Sequence, residues 1–242
     1  MAELLAPAGS LDNVLTAIDA GADAVYFGGK SFNARRFAHN LDDDEIVQAV
    51  KTAHLFGVKV YVTVNILMAD TELEALTAYL QSLDAAGVDG IIVQDLAVAL
   101  LARRVVPNLP LHGSTQMTVA DADGVRFLEE NGFTQAVLSR ELSLAEIQSV
   151  CASSPLAIEV FIHGASCMAY SGQCLMSSFL GGRSGNRGAC AQPCRQPYTL
   201  VRDGKEVMKQ EAYVLSLKDL KALDYIDDLL DAGVTSFKIE AV

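Results

Sequence analysis

The stretch KVYVTVNILMADTELEALTAYLQSLDAAGVDGIIVQD, residues 59–95, carries the pattern from which the fold is predicted. An apolar run, KVYVTVN, leads into an amphipathic segment, and a second apolar run, GIIVQD, follows it. Near-continuous apolar runs rich in Val, Ile and Tyr are typical of strands that are buried on both faces. Asp70 is the predicted N-cap of the helix between them, and Gly87 is the predicted left-handed residue that ends it. The stretch therefore predicts a β-α-β unit.

The same pattern recurs along the whole chain. Eight apolar runs are present, at residues 3–9, 24–29, 59–65, 90–95, 109–116, 135–141, 157–164 and 236–241. Ser143 is a further predicted N-cap, and four more glycines come just after a helical run and before a strand: Gly21, Gly57, Gly132 and Gly233. Eight strands alternating with helices predict an α/β fold of the (β/α)8 TIM-like barrel type. The alternative, a doubly wound sheet, requires a glycine-rich phosphate turn after its first strand, and APAGSLDN is too short a match.

The spacing of the runs locates one long insertion. The first six intervals between the starts of successive runs are 19–35 residues long, whereas the seventh is 79. We therefore predict a single domain over residues 1–242 with an insertion at residues 164–212, after strand seven and on the face where barrel enzymes carry their chemistry. A hairpin around Asp203-Gly204 is predicted in this interval, and LKDLKALDYIDDLLDAG is the predicted helix seven.

The sequence stops directly after the eighth run, at Ala241 and Val242. A barrel of this type needs a helix after its eighth strand, so we expect this closing helix to be absent and an apolar seam to be exposed. We expect either that the sequence is a fragment of a longer protein, or that a partner or a second copy of the chain covers that seam.

Composition limits the classes of protein to which the chain can belong. It is 51% hydrophobic and 20% charged, which is typical of a globular protein. The start, MAELLAPAGSLDN, lacks the basic residues and apolar run of a signal peptide, and no apolar run approaches the roughly 20 residues of a membrane span. We therefore expect a cytoplasmic protein that does not enter a membrane.

The charge is distributed unevenly. The net charge of −12 argues against a protein that binds nucleic acid over its whole surface, yet residues 163–202 contain four arginines and no acid. This segment predicts a local cationic patch for an anionic ligand or an RNA. Alternatively, the arginines cap helices or neutralise buried thiolates.

Four of the five cysteines also lie in this segment, as Cys167, Cys174, Cys190 and Cys194. In a reducing compartment, clustered cysteines are more often metal ligands or catalytic groups than disulfides. Only the second pair has the close spacing of a zinc site, and the surrounding glycines allow the loop to wrap a larger group. An iron–sulfur cluster is the favoured interpretation, with zinc and free or redox-active thiols as alternatives. The fifth, Cys151, is interpreted as a small buried apolar residue.

Polar residues follow most of the predicted strands, and the carboxyl ends of barrel strands meet at one mouth. We therefore expect the active site at this mouth, where the candidates also include Gln94 and Glu141. Catalytic roles are predicted for Asp95, His112, His163, Arg140 and Glu240, of which Asp95 and the two histidines are the acid–base groups. Substrate binding is predicted for Asn65, Gln116, Lys238, Arg183 and Arg187. An additional anion site is predicted after strand two, at Asn33, Arg35 and Arg36.

These motifs together resemble those of peptidase family U32, known as collagenase-like proteases. The matching segments are ELLAPAG, GADAVYFGG, VTVN, VQD, LHGSTQ, VLSRELSL, FIHGASCMAYSGQC, GRSGNRGACAQPCR, LSLKDL and SFKIE. They cover essentially the whole chain, and the block from His163 to Arg195 is the most specific. The family usually continues from SFKIE into Gly-Arg and a further C-terminal region, whereas this sequence ends in Ala-Val.

The resemblance implies a function and a cofactor. Bacterial members are oxygen-independent hydroxylases, and some use prephenate to hydroxylate a tRNA uridine or a cytidine of large-subunit rRNA. A related pair hydroxylates the ubiquinone ring and carries 4Fe-4S clusters on four cysteines, which Cys167, Cys174, Cys190 and Cys194 match by position. The resemblance therefore implies an iron–sulfur enzyme that hydroxylates RNA with a small anionic donor. The alternatives are a peptidase, for which Cys167 and His163 are the only candidate pair, and a non-catalytic scaffold stapled by zinc.

Overall fold

Eight parallel strands close into a barrel in the computed structural model of the protein, which describes residues 2–207 and 212–240. The barrel strands are β1 (Glu3–Pro7), β2 (Ala24–Gly28), β3 (Lys59–Val64), β4 (Gly90–Val93), β5 (Leu111–Gly113), β6 (Gln135–Val137), β7 (Ala157–Gly164) and β11 (Ser236–Ile239). Each pairs with its neighbour, β11 pairs with β1, and β7 pairs with both β6 and β11. The predicted (β/α)8 barrel is confirmed.

Seven helices alternate with the barrel strands. They are α1 (Leu11–Asp19), α2 (Asp43–Leu55), α3 (Leu73–Ala86), α4 (Leu96–Val105), α5 (Ala122–Glu130), α6 (Leu144–Ser153) and α8 (Ile226–Asp231). The predicted helix ends are confirmed, because Gly21, Gly57, Gly87, Gly132 and Gly233 all have positive φ. No helix among the described residues is long and apolar enough to cross a membrane.

One predicted N-cap is confirmed and the other is wrong. The Ser143 hydroxyl accepts a bond from the Glu146 amide, and the Glu146 carboxylate accepts one from the Ser143 amide at 2.7 Å. Asp70 instead lies inside a 3-10 turn, Asp70–Glu72, that precedes α3. There the Glu72 carboxylate accepts the Ala69 amide at 2.8 Å, so a different acid satisfies the start of this helix.

The segment between β7 and α8 contains a short helix and three short strands. Helix α7 (Met176–Gly181) is followed by the hairpin of β8 (Val201–Arg202) and β9 (Lys205–Glu206), and then by β10 (Leu220–Lys221). The predicted hairpin around Asp203-Gly204 is confirmed. Residues 208–211, within the predicted insertion, lie outside the described residues, as do Ala241 and Val242 at the predicted open seam.

The predicted helix seven is much shorter than expected. Only Ile226–Asp231 is α-helical, preceded by the 3-10 turn Leu223–Tyr225. Residues 220–221 pair antiparallel with the end of β7 instead, and the Ala222 amide donates to the Ile162 carbonyl at 2.8 Å. Strand β7 is eight residues long and extends past its neighbours, so its free backbone edge takes this segment as a strand.

The core is divided between two spaces. Most buried apolar side chains fill the layer between the strands and the helices, for example Val25, Val62, Leu80 and Ile91. The barrel interior is smaller and mixed. Its apolar part is Leu5, Ala24, Tyr61 and Ile92 with the partly buried Tyr26, and charged and polar groups fill the rest. This polar interior leads up to the mouth where the insertion lies.

Candidate active site at the barrel mouth

The insertion lies across the C-terminal mouth of the barrel, as predicted from the strand spacing. It contacts three different strand-end loops. The Arg36 amide after β2 donates to the Gly188 carbonyl at 3.1 Å, and the Leu67 amide after β3 donates to the Asn186 carbonyl at 2.9 Å. After β5, the Thr118 hydroxyl donates to the Ser171 carbonyl at 2.8 Å. The loop is therefore a fixed part of the mouth.

Two glycines allow the insertion to approach this closely. A Cβ atom on Gly172 would lie 1.9 Å from the Gln116 carbonyl oxygen, and one on Gly188 would lie 2.3 Å from the Asn33 carbonyl oxygen. Both glycines also have positive φ, at +85° and +71°. Only glycine combines that backbone conformation with so short an approach.

Two of the four arginines in the insertion anchor it to the protein. Arg187 binds both carboxylate oxygens of Glu72, at 3.0 and 2.7 Å, and also donates to the Leu67 carbonyl at 2.7 Å. Arg187 thereby holds the pKa of the Glu72 carboxyl below its usual range. Arg195 donates to the Ser216 hydroxyl and to the carbonyls of Leu217 and Ser166. Substrate binding by Arg187 stays a prediction, and in this structure its terminal nitrogens contact Glu72 and Leu67.

All four cysteines of the insertion are free thiols. The Cys190 sulfur accepts the Gln192 amide at 3.3 Å, and the Cys167 sulfur accepts the Ala169 amide. Cys167 is exposed as a residue, but partial desolvation of its sulfur is the main cause that raises the pKa of the thiol. The Ala169 amide lowers this pKa, Cys174 and Cys194 raise it, and Arg140 lowers it. Three of the thiols are thus close enough to interact through their charges.

The chemistry of this donor set fits an iron–sulfur cluster. Amide groups that donate to sulfur are among the interactions that set the properties of thiolate-bound clusters. Among residues 2–207 and 212–240, no three His, Cys, Asp or Glu side chains come close enough to hold one metal ion. A tetrahedral zinc site needs four such ligands within about 2.3 Å of a single centre, whereas each thiolate of a four-iron cluster binds a different iron.

An ion cluster at the mouth joins three of the predicted residues. The Arg140 guanidinium contacts both the Glu240 carboxylate and the Ala165 carbonyl, and it lies 4.1 Å from the centre of the Phe161 ring. The other Glu240 oxygen lies 3.2 Å from Arg35. Two guanidinium groups therefore contact one carboxylate. The Arg140 Nε atom is buried without a hydrogen-bond partner among the described residues.

A second ion pair lies deeper, inside the barrel. Lys238 donates to Glu159 at 2.9 Å, and their side chains are only 5% and 1% exposed. The second Glu159 oxygen accepts from Gln135 at 2.6 Å and from Ser236 at 3.0 Å. The Lys238 ammonium also lies 4.3 Å from the centre of the Tyr26 ring. Substrate binding by Lys238 stays a prediction, and in this structure its ammonium is paired with Glu159 inside the barrel.

The sequence prediction missed Glu159, which organises this interior network. A signal was present, since Glu159 is the one acid within the apolar run AIEVFIHG. A charged residue inside an otherwise apolar barrel strand points either into the barrel or towards a partner. Glu3 and Tyr61 were missed as well. The Tyr61 hydroxyl donates to the Glu3 carboxylate at 2.8 Å, at the N-terminal end of the barrel.

His112 lies inside the barrel and is 5% exposed. Its ring meets the ring of Tyr61 edge-on, with 4.5 Å between centroids. Burial, helped by the positive charge of Lys238, lowers the pKa of His112 to about 4. The imidazole is therefore neutral at neutral pH.

The remaining predicted residues have varied surroundings. Asp95 caps α4 by accepting the Ala97 amide at 2.7 Å, and its other oxygen accepts the Met68 amide at 2.8 Å, so both oxygens hold backbone. Asn65 accepts the Ala34 amide at 3.0 Å. Gln116 lies in the turn against Gly172.

The other candidates differ in exposure. His163 and Glu141 are exposed, whereas Gln94 and Asn33 are buried. The Oε1 atom of Gln94 has no hydrogen-bond partner among the described residues.

These features define a (β/α)8 barrel whose mouth is covered by a cysteine-bearing loop and lined by an arginine–carboxylate cluster. The chain belongs to peptidase family U32, because the model of that family matches residues 9–242. The family resemblance noted from the sequence motifs is thereby confirmed.

Some relatives of the chain are named for hydroxylation of RNA, and another is named as a collagenase. The chain is 45% identical over 98% of its length to the 23S rRNA 5-hydroxycytidine synthase of Escherichia coli and covers 36% of that protein. It is 40% identical over 98% of its length to a tRNA hydroxylation protein of Bacillus subtilis and covers 58% of it. A collagenase of Porphyromonas gingivalis is 36% identical over 98% of the chain, which covers 60% of that protein. The chain thus spans about a third to three fifths of the length of these relatives.

A solved structure supports the fold. The structure of a U32 peptidase superposes with a TM-score of 0.66 at 13% identity, covering 100% of this chain and 93% of the other. At this identity the similarity concerns the fold alone.

Proposed function

We propose that the chain forms the barrel of an enzyme that hydroxylates a pyrimidine base in RNA. The observation that carries this proposal is its similarity over 98% of its length to proteins named for rRNA and tRNA hydroxylation, at 45% and 40% identity. The matched region spans nearly the whole chain in both cases. RNA is the proposed substrate, and the cytoplasm is the proposed place of action.

We further propose that Cys167, Cys174, Cys190 and Cys194 hold an iron–sulfur cluster, of the 4Fe-4S type. When bound, the cluster would transfer electrons during hydroxylation without oxygen. The amides of Ala169 and Gln192 already donate to two of the sulfurs and would stabilise their negative charge.

The arginine–carboxylate cluster is the proposed site for a small anionic donor such as prephenate. Arg140 and Arg35 both contact Glu240, so the site carries guanidinium groups of the kind that bind carboxylates. The Nε atom of Arg140 has no hydrogen-bond partner among the described residues and is the donor proposed to bind the carboxylate. His163, exposed at the end of β7, is the proposed acid–base residue.

A nucleoside analysis tests the proposed function. Deleting the gene should remove one hydroxylated pyrimidine from total RNA, as measured by mass spectrometry of digested nucleosides. A plasmid that carries the wild-type gene or Cys151→Ser should restore the nucleoside, and Cys194→Ser should not. Cys151 is the matched control because it lies in α6, away from the insertion. An unchanged nucleoside profile in the deletion strain would refute the proposal.

A peptidase function is the second candidate, and a relative named collagenase is the observation in its favour. The geometry gives it little support. Among the described residues His163 forms no hydrogen bond with Cys167, and burial raises rather than lowers the pKa of that thiol. Cleavage of gelatin by metal-free protein, blocked by a thiol reagent, would favour the peptidase.

The remaining alternative is a non-catalytic scaffold stapled by zinc. A content of one zinc per chain would indicate it.

A further inference from the structure

A cavity of about 220 Å³ lies where the loop after β2 meets the insertion. Its walls include three cationic side chains, Lys30, Arg36 and Arg187, and one acid, Glu72. Neither the proposed cluster nor the donor site uses it.

The three cations of this cavity are not equivalent. Arg187 is held by both oxygens of Glu72, and Lys30 lies 3.0 Å from Asp42 in an exposed pair. The Arg36 guanidinium forms no side-chain hydrogen bond or ion pair within the part of the chain that the structure describes, although its charge lowers the pKa of Glu72. Within the described part of the chain, Arg36 is therefore a cation of this cavity without an acid bound to it. Lys30 is a second cation, whose exposed ion pair with Asp42 another anion can replace.

An aromatic platform lies beside the cavity. Phe37 is 68% exposed, and the Arg183 guanidinium lies 4.6 Å from the centre of its ring. The Arg183 Nε atom donates to the Ala189 carbonyl at 3.0 Å, which fixes its guanidinium against the ring. An exposed aromatic ring next to a guanidinium is the kind of surface on which an unstacked nucleobase is held.

The loop that carries these residues has a defined shape. The Arg36 amide is bonded to Gly188, so Arg36 and Phe37 are attached to the insertion. Phe32 has a positive φ of 59°, which is rare for an aromatic residue, and its ring packs against Tyr79 with 5.7 Å between centroids. Backbone strain of this kind is concentrated at functional sites.

We propose that this rim patch, defined as Lys30, Arg36, Phe37 and Arg183, binds single-stranded RNA beside the nucleotide that enters the mouth. A backbone phosphate would occupy the cavity at Arg36 and Lys30, and a neighbouring base would stack on Phe37 and Arg183. The proposal rests on the proposed RNA-hydroxylase function and adds the surface on which the strand lies. Outside residues 163–202 the chain is strongly acidic, which directs a polyanion towards the few cationic surfaces.

Binding of a fluorescent single-stranded oligoribonucleotide, followed by anisotropy, tests the rim patch. Phe37→Ala should weaken binding about 5- to 100-fold, because stacking contributes this much per base. Arg36→Ala should weaken binding and reduce the slope of log affinity against log salt by about one, because one phosphate contact is lost. Phe127→Ala and Arg126→Ala are matched controls in α5, and both should bind like the wild type.

Three results would overturn the proposal. The first is that the wild type does not bind the RNA. The second is that Phe37→Ala and Arg36→Ala bind it with unchanged affinity. The third is that inorganic phosphate displaces the RNA at a concentration equal to that of the RNA phosphates. The last result would indicate a simple anion site instead of a strand. Because binding is measured rather than turnover, the two proposals fail separately. A chain that hydroxylates RNA but tolerates both substitutions refutes the rim patch alone, and one that binds RNA through Phe37 without hydroxylating it refutes the function alone.

Discussion

Glu159 has more influence on the barrel interior than any residue singled out from the sequence. Its carboxylate is 1% exposed and accepts hydrogen bonds from Lys238, Gln135 and Ser236. A buried carboxylate of this kind is tolerated because every oxygen has donors and one donor is charged. The pair is a structural feature at the centre of the barrel, directly beneath the mouth.

Replacing one partner of this pair should be costly. Glu159→Ala leaves the Lys238 ammonium buried without a counter-charge, so we expect the free energy of unfolding to fall by about 3–5 kcal/mol. Asp123→Ala, which breaks an exposed pair with Arg126, should cost less than about 1 kcal/mol. Denaturant unfolding measures both, and equal losses in the two variants would contradict the assigned role.

His112 predicts a pH dependence of stability. Its pKa in the folded protein is about 4, against the ordinary value of 6.5, because of burial and the charges of Lys238 and Lys59, which outweigh Glu3. The unfolded chain therefore binds the proton more readily between pH 6.5 and 4. The free energy of unfolding should accordingly fall by about 3 kcal/mol as pH drops through this range, and be constant from this source above it.

A His112→Gln variant isolates this contribution from the carboxylates that titrate in the same range. Unfolding should be measured by denaturant at several pH values in the wild type and the variant. The free energy of unfolding of the wild type minus that of the variant should decrease as pH falls from 6.5 to 4. A constant difference would show that His112 is not a buried neutral residue.

At the scale of elements, the insertion is held against the barrel mouth by hydrogen bonds at several separate places. Hydrogen bonds join it to the loops after β2, β3 and β5, and two of its arginines anchor it at separate places. Its contacts are made largely by backbone groups. These contacts hold the cysteine-bearing insertion against the mouth.

Gly172 is the most sensitive point of this attachment. Gly172→Ala should force the insertion away from the Gln116 carbonyl, because of both the 1.9 Å approach and the positive φ. We expect a local cost of about 1–3 kcal/mol, seen as faster amide hydrogen exchange in residues 165–200 with unchanged exchange in the barrel strands. Gly181→Ala is the control and should not alter exchange, because its added Cβ atom would meet nothing within 4 Å beyond its chain neighbours and its own helix. Equal exchange in the two variants would argue against a fastened insertion.

The elements that could be predicted are those with a local signal. Apolar runs and helix-ending glycines identified the eight barrel strands and most helix ends. Helix seven was predicted too long because the edge of β7 captures residues 220–221, and a sequence pattern does not reveal a free strand edge. The role of Asp70 was mistaken because Glu72, two residues later, satisfies the same helix start.

At the scale of the whole molecule, the site could be predicted as a region but not as a set of contacts. The order of strands places residues at the mouth, so the cluster of Arg140 and Glu240, 100 residues apart in sequence, follows from the topology. Which side chains are already paired inside the protein depends on three-dimensional contacts. Lys238 and Arg187 each have a buried or bidentate acid partner that no spacing rule reveals.

The insertion and the barrel together determine what the protein can do. The barrel supplies a polar interior and an arginine–carboxylate cluster, and the insertion supplies the thiols and, with the loop after β2, the rim patch. A thiolate-bound cluster above the mouth is the proposed centre of the chemistry.

The iron content of anaerobically prepared protein tests this claim most directly. The account predicts a coloured protein with about four iron and four sulfide per chain, retained in Cys151→Ser and lost in Cys194→Ser. A colourless wild-type protein without iron, or one whose iron is unaffected by Cys194→Ser, would contradict it.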